Sequence, residues 1–213
     1  MKLFQYMKQI LLIVALVCST YMLNAQFGYG LTITNDIYNR YTNPDQENID
    51  VYEGNGSLLL NLGLGPKIWI GAPQFSFSLE TQAKIGLMGV ALKDFKGMGN
   101  HAIPIIARFN FGGLSGLDKE GKFGWSIGGG VQYNKTELYY TTDSYTDRGV
   151  DRNYFRTFVG QVAYGFGLSG FAIQGVLRYG YDPDTKANSF NLGLQYDLNY
   201  PKLKQISNPE SEL

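Results

Sequence analysis

Phe75-Ser76-Phe77-Ser78-Leu79-Glu80-Thr81-Gln82-Ala83-Lys84-Ile85-Gly86-Leu87 alternates residue by residue between two kinds of side chain. The odd positions are apolar apart from Thr81, and the even positions are polar, charged or glycine. A period of two places these sets on opposite faces of a β-strand. Strands of soluble domains usually run about 5–6 residues, whereas a tilted strand crossing a bilayer needs about 9–11. Two later stretches repeat the pattern. Phe190, Leu192, Leu194, Tyr196, Leu198 and Tyr200 alternate with Asn191, Gly193, Gln195, Asp197 and Asn199. Phe171, Ile173, Gly175, Leu177, Tyr179 and Tyr181 lie opposite Gln174 and Arg178.

Working outward from these segments, residues 26 onward show no helical period. Eight strands are expected, at 27–37, 56–68, 75–90, 102–111, 124–136, 154–168, 170–181 and 189–200. Their connections alternate in length. Residues 38–55, 91–101, 137–153 and 182–188 are loops, the first and third long, polar and acidic, while Ile70 to Gln74 and Leu168-Ser169-Gly170 are tight corners. The Gly112 to Phe123 connection is longer than this scheme asks for. An even number of long amphipathic strands with this asymmetry predicts an all-β fold, an eight-stranded antiparallel up-and-down transmembrane β-barrel.

The polar face decides between a membrane barrel and a soluble one. A water-washed exterior would be rich in Lys and Glu, but residues such as Ser126, Gly128, Gly130, Gln132 and Asn134 suit a crowded interior. An eight-stranded barrel is just wide enough for side chains to fill. Seven charged residues fall on that face: Asp36, Lys67, Glu80, Lys84, Arg108, Arg178 and Asp197. They nearly balance in sign, so an internal ion-pair network is expected. On the apolar face, Phe27, Tyr29, Phe75, Phe77, Phe109, Phe111, Trp125, Phe166 and Tyr200 gather toward the turns. Tyr133, Phe158, Tyr179, Tyr181 and Phe190 gather toward the loops, with aliphatic residues such as Ile105, Ile127, Val162 and Leu192 between. Two aromatic girdles around an apolar belt match the two membrane interfaces.

The amino terminus has the layout of a secretory signal peptide: Lys2 and Lys8, the apolar run Ile10 to Val17, and Asn24-Ala25-Gln26 at a cleavage point after Ala25. The run Ile10 to Leu23 is shorter than the roughly 20 residues of a spanning helix. The single cysteine, Cys18, follows bulky Val17, which fits a lipid-modification site poorly, and cleavage would leave a mature chain without disulfides or thiol chemistry. With 18 basic and 18 acidic residues and no local basic run, nucleic-acid binding is excluded. The 15% aromatic content argues against disorder.

Over residues 26–200 the chain resembles the outer-membrane β-barrel family, specifically its small eight-stranded members of the OmpA and OmpX type. The resemblance rests on the leader ending Asn24-Ala25-Gln26, the eight amphipathic strands, the loop asymmetry and the alternating strand that ends at Tyr200. It implies a bacterial outer-membrane location, contact with outer-membrane lipids and lipopolysaccharide, and insertion by the barrel-assembly machinery, which reads such a terminal strand. The polar tail Pro201 to Leu213 is too short for a peptidoglycan-binding domain.

Signals for chemistry are sparse. His101 is the only histidine, and Ser115, a conceivable partner, lies in the connection at the opposite rim. Gly165-Phe166-Gly167-Leu168-Ser169-Gly170 matches the dinucleotide fingerprint, but a strand rather than a helix follows it. Asp182-Pro183-Asp184 with Thr185 and Asn188, and Asp45, Glu47, Asp50 and Glu53, are acidic loop clusters without EF-hand spacing. No catalytic residue, cofactor or metal site is therefore expected. The leading functional expectation is a non-enzymatic outer-membrane barrel with a filled polar lumen, serving the envelope or meeting a surface partner through its loops. A narrow porin-like channel and a soluble periplasmic lipocalin-like carrier of an apolar ligand are the alternatives.

Overall fold

Each strand pairs antiparallel with its sequence neighbour, and the last pairs with the first, so the sheet closes on itself. The computed structural model describes residues 25–44, 57–86, 97–140 and 153–207. The expected signal peptide up to Asn24, the end of the expected strand 75–90, most of the expected loops 38–55, 91–101 and 137–153, and residues 208–213 lie outside the described residues. The strands are β1 (Gln26–Thr42), β2 (Ser57–Ala72), β3 (Phe75–Thr81), β4 (Ala83–Gly86), β5 (Gly97–Gly112), β6 (Lys122–Tyr140), β7 (Phe155–Leu168), β8 (Phe171–Tyr181) and β9 (Asn188–Asn199). β3 and β4 form one stave in register between β2 and β5, which gives a barrel of eight staves. The seam joins Gly30 of β1 to Asn199 of β9 and runs on to Thr42 opposite Asn188.

Pro104 accounts for the break between β3 and β4. Thr81 pairs with Ile105 and Lys84 with Ala102, so Gln82 faces Pro104. The Gln82 amide still donates to the Pro104 carbonyl at 3.2 Å, but proline has no N–H to return the bond.

Two strands run further than their period suggested because bulges change the alternation. The pairing of β1 shifts between Asp36 and Tyr38, which turns Ile37 outward as an extra residue. Before the bulge Thr32, Thr34 and Asp36 point inward; after it Asn39, Tyr41 and Asn43 do. The sequence boundary at 37 thus marks a change of phase, and the strand continues to Thr42. β5 likewise begins at Gly97 instead of 102, past an irregularity between Met98 and Asn100, where Gly99 has a φ of 78°. The polar tail also departs from expectation: Tyr200–Ser207 is an eight-residue helix, α1, packed against β1 and β9.

The polarity of the barrel is that of a membrane protein. Its fully buried side chains are mostly polar, including Thr32, Ser126, Gln132, Gln174 and Gln195. Its exposed side chains are large and apolar, from Phe27, Phe109, Phe123 and Trp125 at one edge through Leu62, Leu79, Ile127 and Val162 to Tyr133, Phe158 and Tyr179 at the other. This arrangement overturns the soluble lipocalin-like alternative, which needs an apolar interior and a charged exterior. Rings at the turn edge interlock, with Phe111 stacked on Trp125 at 4.1 Å and Phe123 on Tyr164 at 5.8 Å. Closure leaves no strand edge with unpaired amides facing lipid. No described helix is long and apolar enough to cross a membrane.

Candidate functional site

The lumen holds all seven charged residues singled out from the sequence, each at least nine-tenths buried. Lys67 on β2 bridges Glu80 and Asp197, both at 2.8 Å. Arg108 on β5 reaches the same Glu80 oxygen at 3.1 Å and also donates to Ser126 and Gln174. Gln174 donates in turn to Asp197 at 2.7 Å, and Gln195 to Glu80 at 3.0 Å and Asp197 at 2.9 Å. This cluster binds β2, β3, β5, β6, β8 and β9 into one network across the barrel.

A second cluster lies nearer the loops. Lys84 pairs with Asp36, which also accepts from Asn191 at 2.8 Å. Arg178 is held by neutral groups, with Nε and one terminal nitrogen on the Gln161 carbonyl oxygen at 2.8 and 2.6 Å and the other on that of Gln132 at 3.1 Å. Among the described residues no carboxylate pairs with Arg178. Of these seven described lumen charges, four are cations and three are carboxylates. Small residues make room for the long ones: a Cβ on Gly128 would come within 2.6 Å of Arg108 Cγ, and one on Gly63 within 2.7 Å of Lys84 Cγ.

Described residues reach into the barrel at both ends. At the turn end, the Gly112 to Phe123 connection folds inward as a plug. Its 3-10 turn, Gly113–Ser115, touches β2, β3, β5, β6, β7 and β8, and Leu114, Ser115 and Leu117 are buried. Ser115 donates to the Pro73 carbonyl at 2.6 Å, Ser76 donates to the Ser115 carbonyl at 2.7 Å, and Asn199 to that of Gly116 at 2.8 Å. The plug rests on Trp69, which is only 1% exposed. Its extra length, unexplained by a simple turn, goes into this closure. At the loop end, Tyr41, Phe155 and Ala187 form a small apolar cluster. Asn191 donates to the Tyr41 hydroxyl at 3.2 Å, and Thr136 on β6 spans the barrel to Asn43 at 2.7 Å.

Sequence reasoning missed Trp69, Tyr41 and Phe155 as lumen residues. For Trp69 the signal was available, since it continues the inward parity of Lys67. Tyr41 was hidden by the bulge. The other candidates are dispersed. Ser115 sits in the plug, whereas His101 lies at the loop end of β5, its Nδ1 paired with the Tyr154 hydroxyl at 2.9 Å. Gly165 to Gly170 forms the β7–β8 hairpin, with Ser169 and Gly170 both at positive φ as its two-residue turn. Asp182 spends its carboxylate on its own loop, accepting from the Asp184 amide at 3.3 Å and the Thr185 hydroxyl at 3.0 Å. Among the described residues no three His, Cys, Asp or Glu side chains are grouped to hold a metal ion. The acidic cluster at residues 45–53 lies outside them.

The outer rim has a third feature. On β5, β6 and β7 the outward positions from Phe111, Phe123 and Phe166 up to Ile103, Tyr133 and Phe158 carry no charge. Just beyond them come His101, Lys135 and Arg156. His101 pairs in register with Lys135, and Tyr133 with Arg156. Lys135 Nζ lies 5.8 Å from the centre of the Tyr154 ring, and the Arg156 guanidinium 4.6 Å from that of Phe158.

No family model and no curated protein matches the chain. Solved structures do. Ail, the attachment invasion locus protein of Yersinia pestis, solved with the heparin analogue sucrose octasulfate, aligns with a TM-score of 0.40 at 11% identity over 81% of this chain and 99% of that one. Neisserial surface protein A, NspA, aligns with a TM-score of 0.40 at 10% identity over the same shares. At about a tenth identity the likeness is one of architecture alone. By its own strand pairing and its inverted polarity, the chain is an eight-stranded antiparallel transmembrane β-barrel.

Proposed function

We propose that the chain is a non-enzymatic protein of the bacterial outer membrane, with a filled lumen and with its long loops directed outward to meet surface partners. The observation that carries this reading is the side-chain-filled lumen. Side chains bridge it at several levels, the plug seals the turn end and the Tyr41 cluster narrows the loop end. A barrel so filled offers no aqueous path, so the surfaces left for function are its loops and its lipid-facing wall. The separation of His101 from Ser115 by the length of β5 supports a non-enzymatic role.

The mature chain, refolded and added to planar bilayers, is expected to give no discrete current steps. Stable unitary conductance would overturn the filled-lumen reading in favour of the narrow channel.

A further inference from the structure

We propose that Lys135 and Arg156, positioned with His101 and Tyr154 on the outward wall of β5 to β7, bind a phosphate group of an outer-leaflet glycolipid. This rests on the outer-membrane reading above. Depth is the first argument. Ten residues separate Phe123 from Tyr133 along β6, and ten separate Phe166 from Arg156 along β7. At about 3.4 Å per residue and a tilt of about 40°, that is about 25 Å along the membrane normal, the height of an outer-membrane apolar band. Arg156 therefore stands at the outer edge of the band and Lys135 one step beyond it, the level of lipid headgroups.

Charge is the second argument. Among the described residues the side chains of Lys135 and Arg156 make no hydrogen bond or ion pair; each cation is set over an aromatic ring. A ring face steadies a cation without using its N–H donors. Diagonal neighbours on paired strands lie about 7–8 Å apart, a span that two long side chains close around one tetrahedral anion. The guanidinium fork suits phosphate oxygens and the ammonium adds a point charge. The Tyr154–His101 hydrogen bond and their edge-on ring contact, 5.7 Å between centres, fix the ring beneath Lys135. Positive charge at the headgroup level, beside an apolar wall that takes acyl chains, fits an anionic lipid better than a soluble ligand.

The test uses the mature chain folded in zwitterionic detergent, titrated with fluorescent bis-phosphorylated lipid A and with the same lipid after phosphatase treatment. The wild type is expected to bind the phosphorylated lipid more tightly by on the order of tenfold. Lys135→Gln with Arg156→Gln should lose that preference, whereas Lys135→Arg with Arg156→Lys should keep it. Equal affinity for the two lipids, or an unchanged Gln double variant, overturns the proposal. Displacement of the lipid by inorganic phosphate at similar concentration overturns the lipid assignment in favour of a free-phosphate site.

Heat-dependent gel mobility reports folding for every protein tested. Should the Gln double variant lose it, the single variants are titrated, each with several-fold loss expected and no loss counting against the site. A wild-type chain that folds without detergent would instead overturn the membrane reading itself, a result distinct from a folded barrel indifferent to phosphate.

Discussion

Arg108 concentrates the logic of the interior in one side chain. It joins Glu80, Ser126 and Gln174, three partners on three staves, and lies against Gly128, where any larger residue would displace it. Replacing Arg108 with alanine removes one of the two cations on Glu80 and opens a hole beside it. Lys67 stays on Glu80, so the loss should fall at about 2–4 kcal/mol, near the lower part of the range for breaking a buried pair. Urea unfolding in micelles reads it, and an unchanged midpoint would sink the claim. Arg108→Met, which keeps most of the volume, should lose less. The seven charges were legible because alternation assigns each a face. Their pairing was not, since tilt and stagger decide that Lys84 meets Asp36 and that neutral Gln161 and Gln132 hold Arg178.

Among the elements, the plug shows what local sequence can and cannot reveal. Its length set it apart from a turn, but nothing in the period of its residues indicated a fold back into the barrel. Gly116 makes the fold possible. Its φ of 70° is left-handed, and a Cβ there would stand 2.9 Å from the Trp69 indole nitrogen. Gly116→Ala should therefore destabilise by more than the roughly 1 kcal/mol of a left-handed residue alone. Urea titration of the folded barrel in a Trp125→Phe background, with the remaining Trp69 fluorescence as the probe, checks it, since the ring must shift to admit the methyl. The strands themselves were readable wherever the period held. Where Ile37 or Gly99 changed the phase, the reading stopped early, because a one-residue shift exchanges the two faces.

At the scale of the whole molecule, the barrel closes only where its two ends meet. The seam between β1 and β9 joins residues about as far apart in sequence as the described chain allows. Bonds that depend on it, Asn191 to Asp36 and Lys67 to Asp197, span 155 and 130 positions. The β7–β8 hairpin, by contrast, closes over a two-residue turn. Loop-closure entropy must be overcome before distant contacts can repay it, so the hairpins form early and the seam last. Conservative changes at Asp197 should then alter the unfolding rate while leaving the folding rate nearly untouched, and changes at Val162 or Leu177 should slow folding. Until the seam forms, the ionic interior of this barrel has no inside: its charges sit on an open, amphipathic ribbon, and the final zippering of the two ends both excludes water and commits the chain to the membrane.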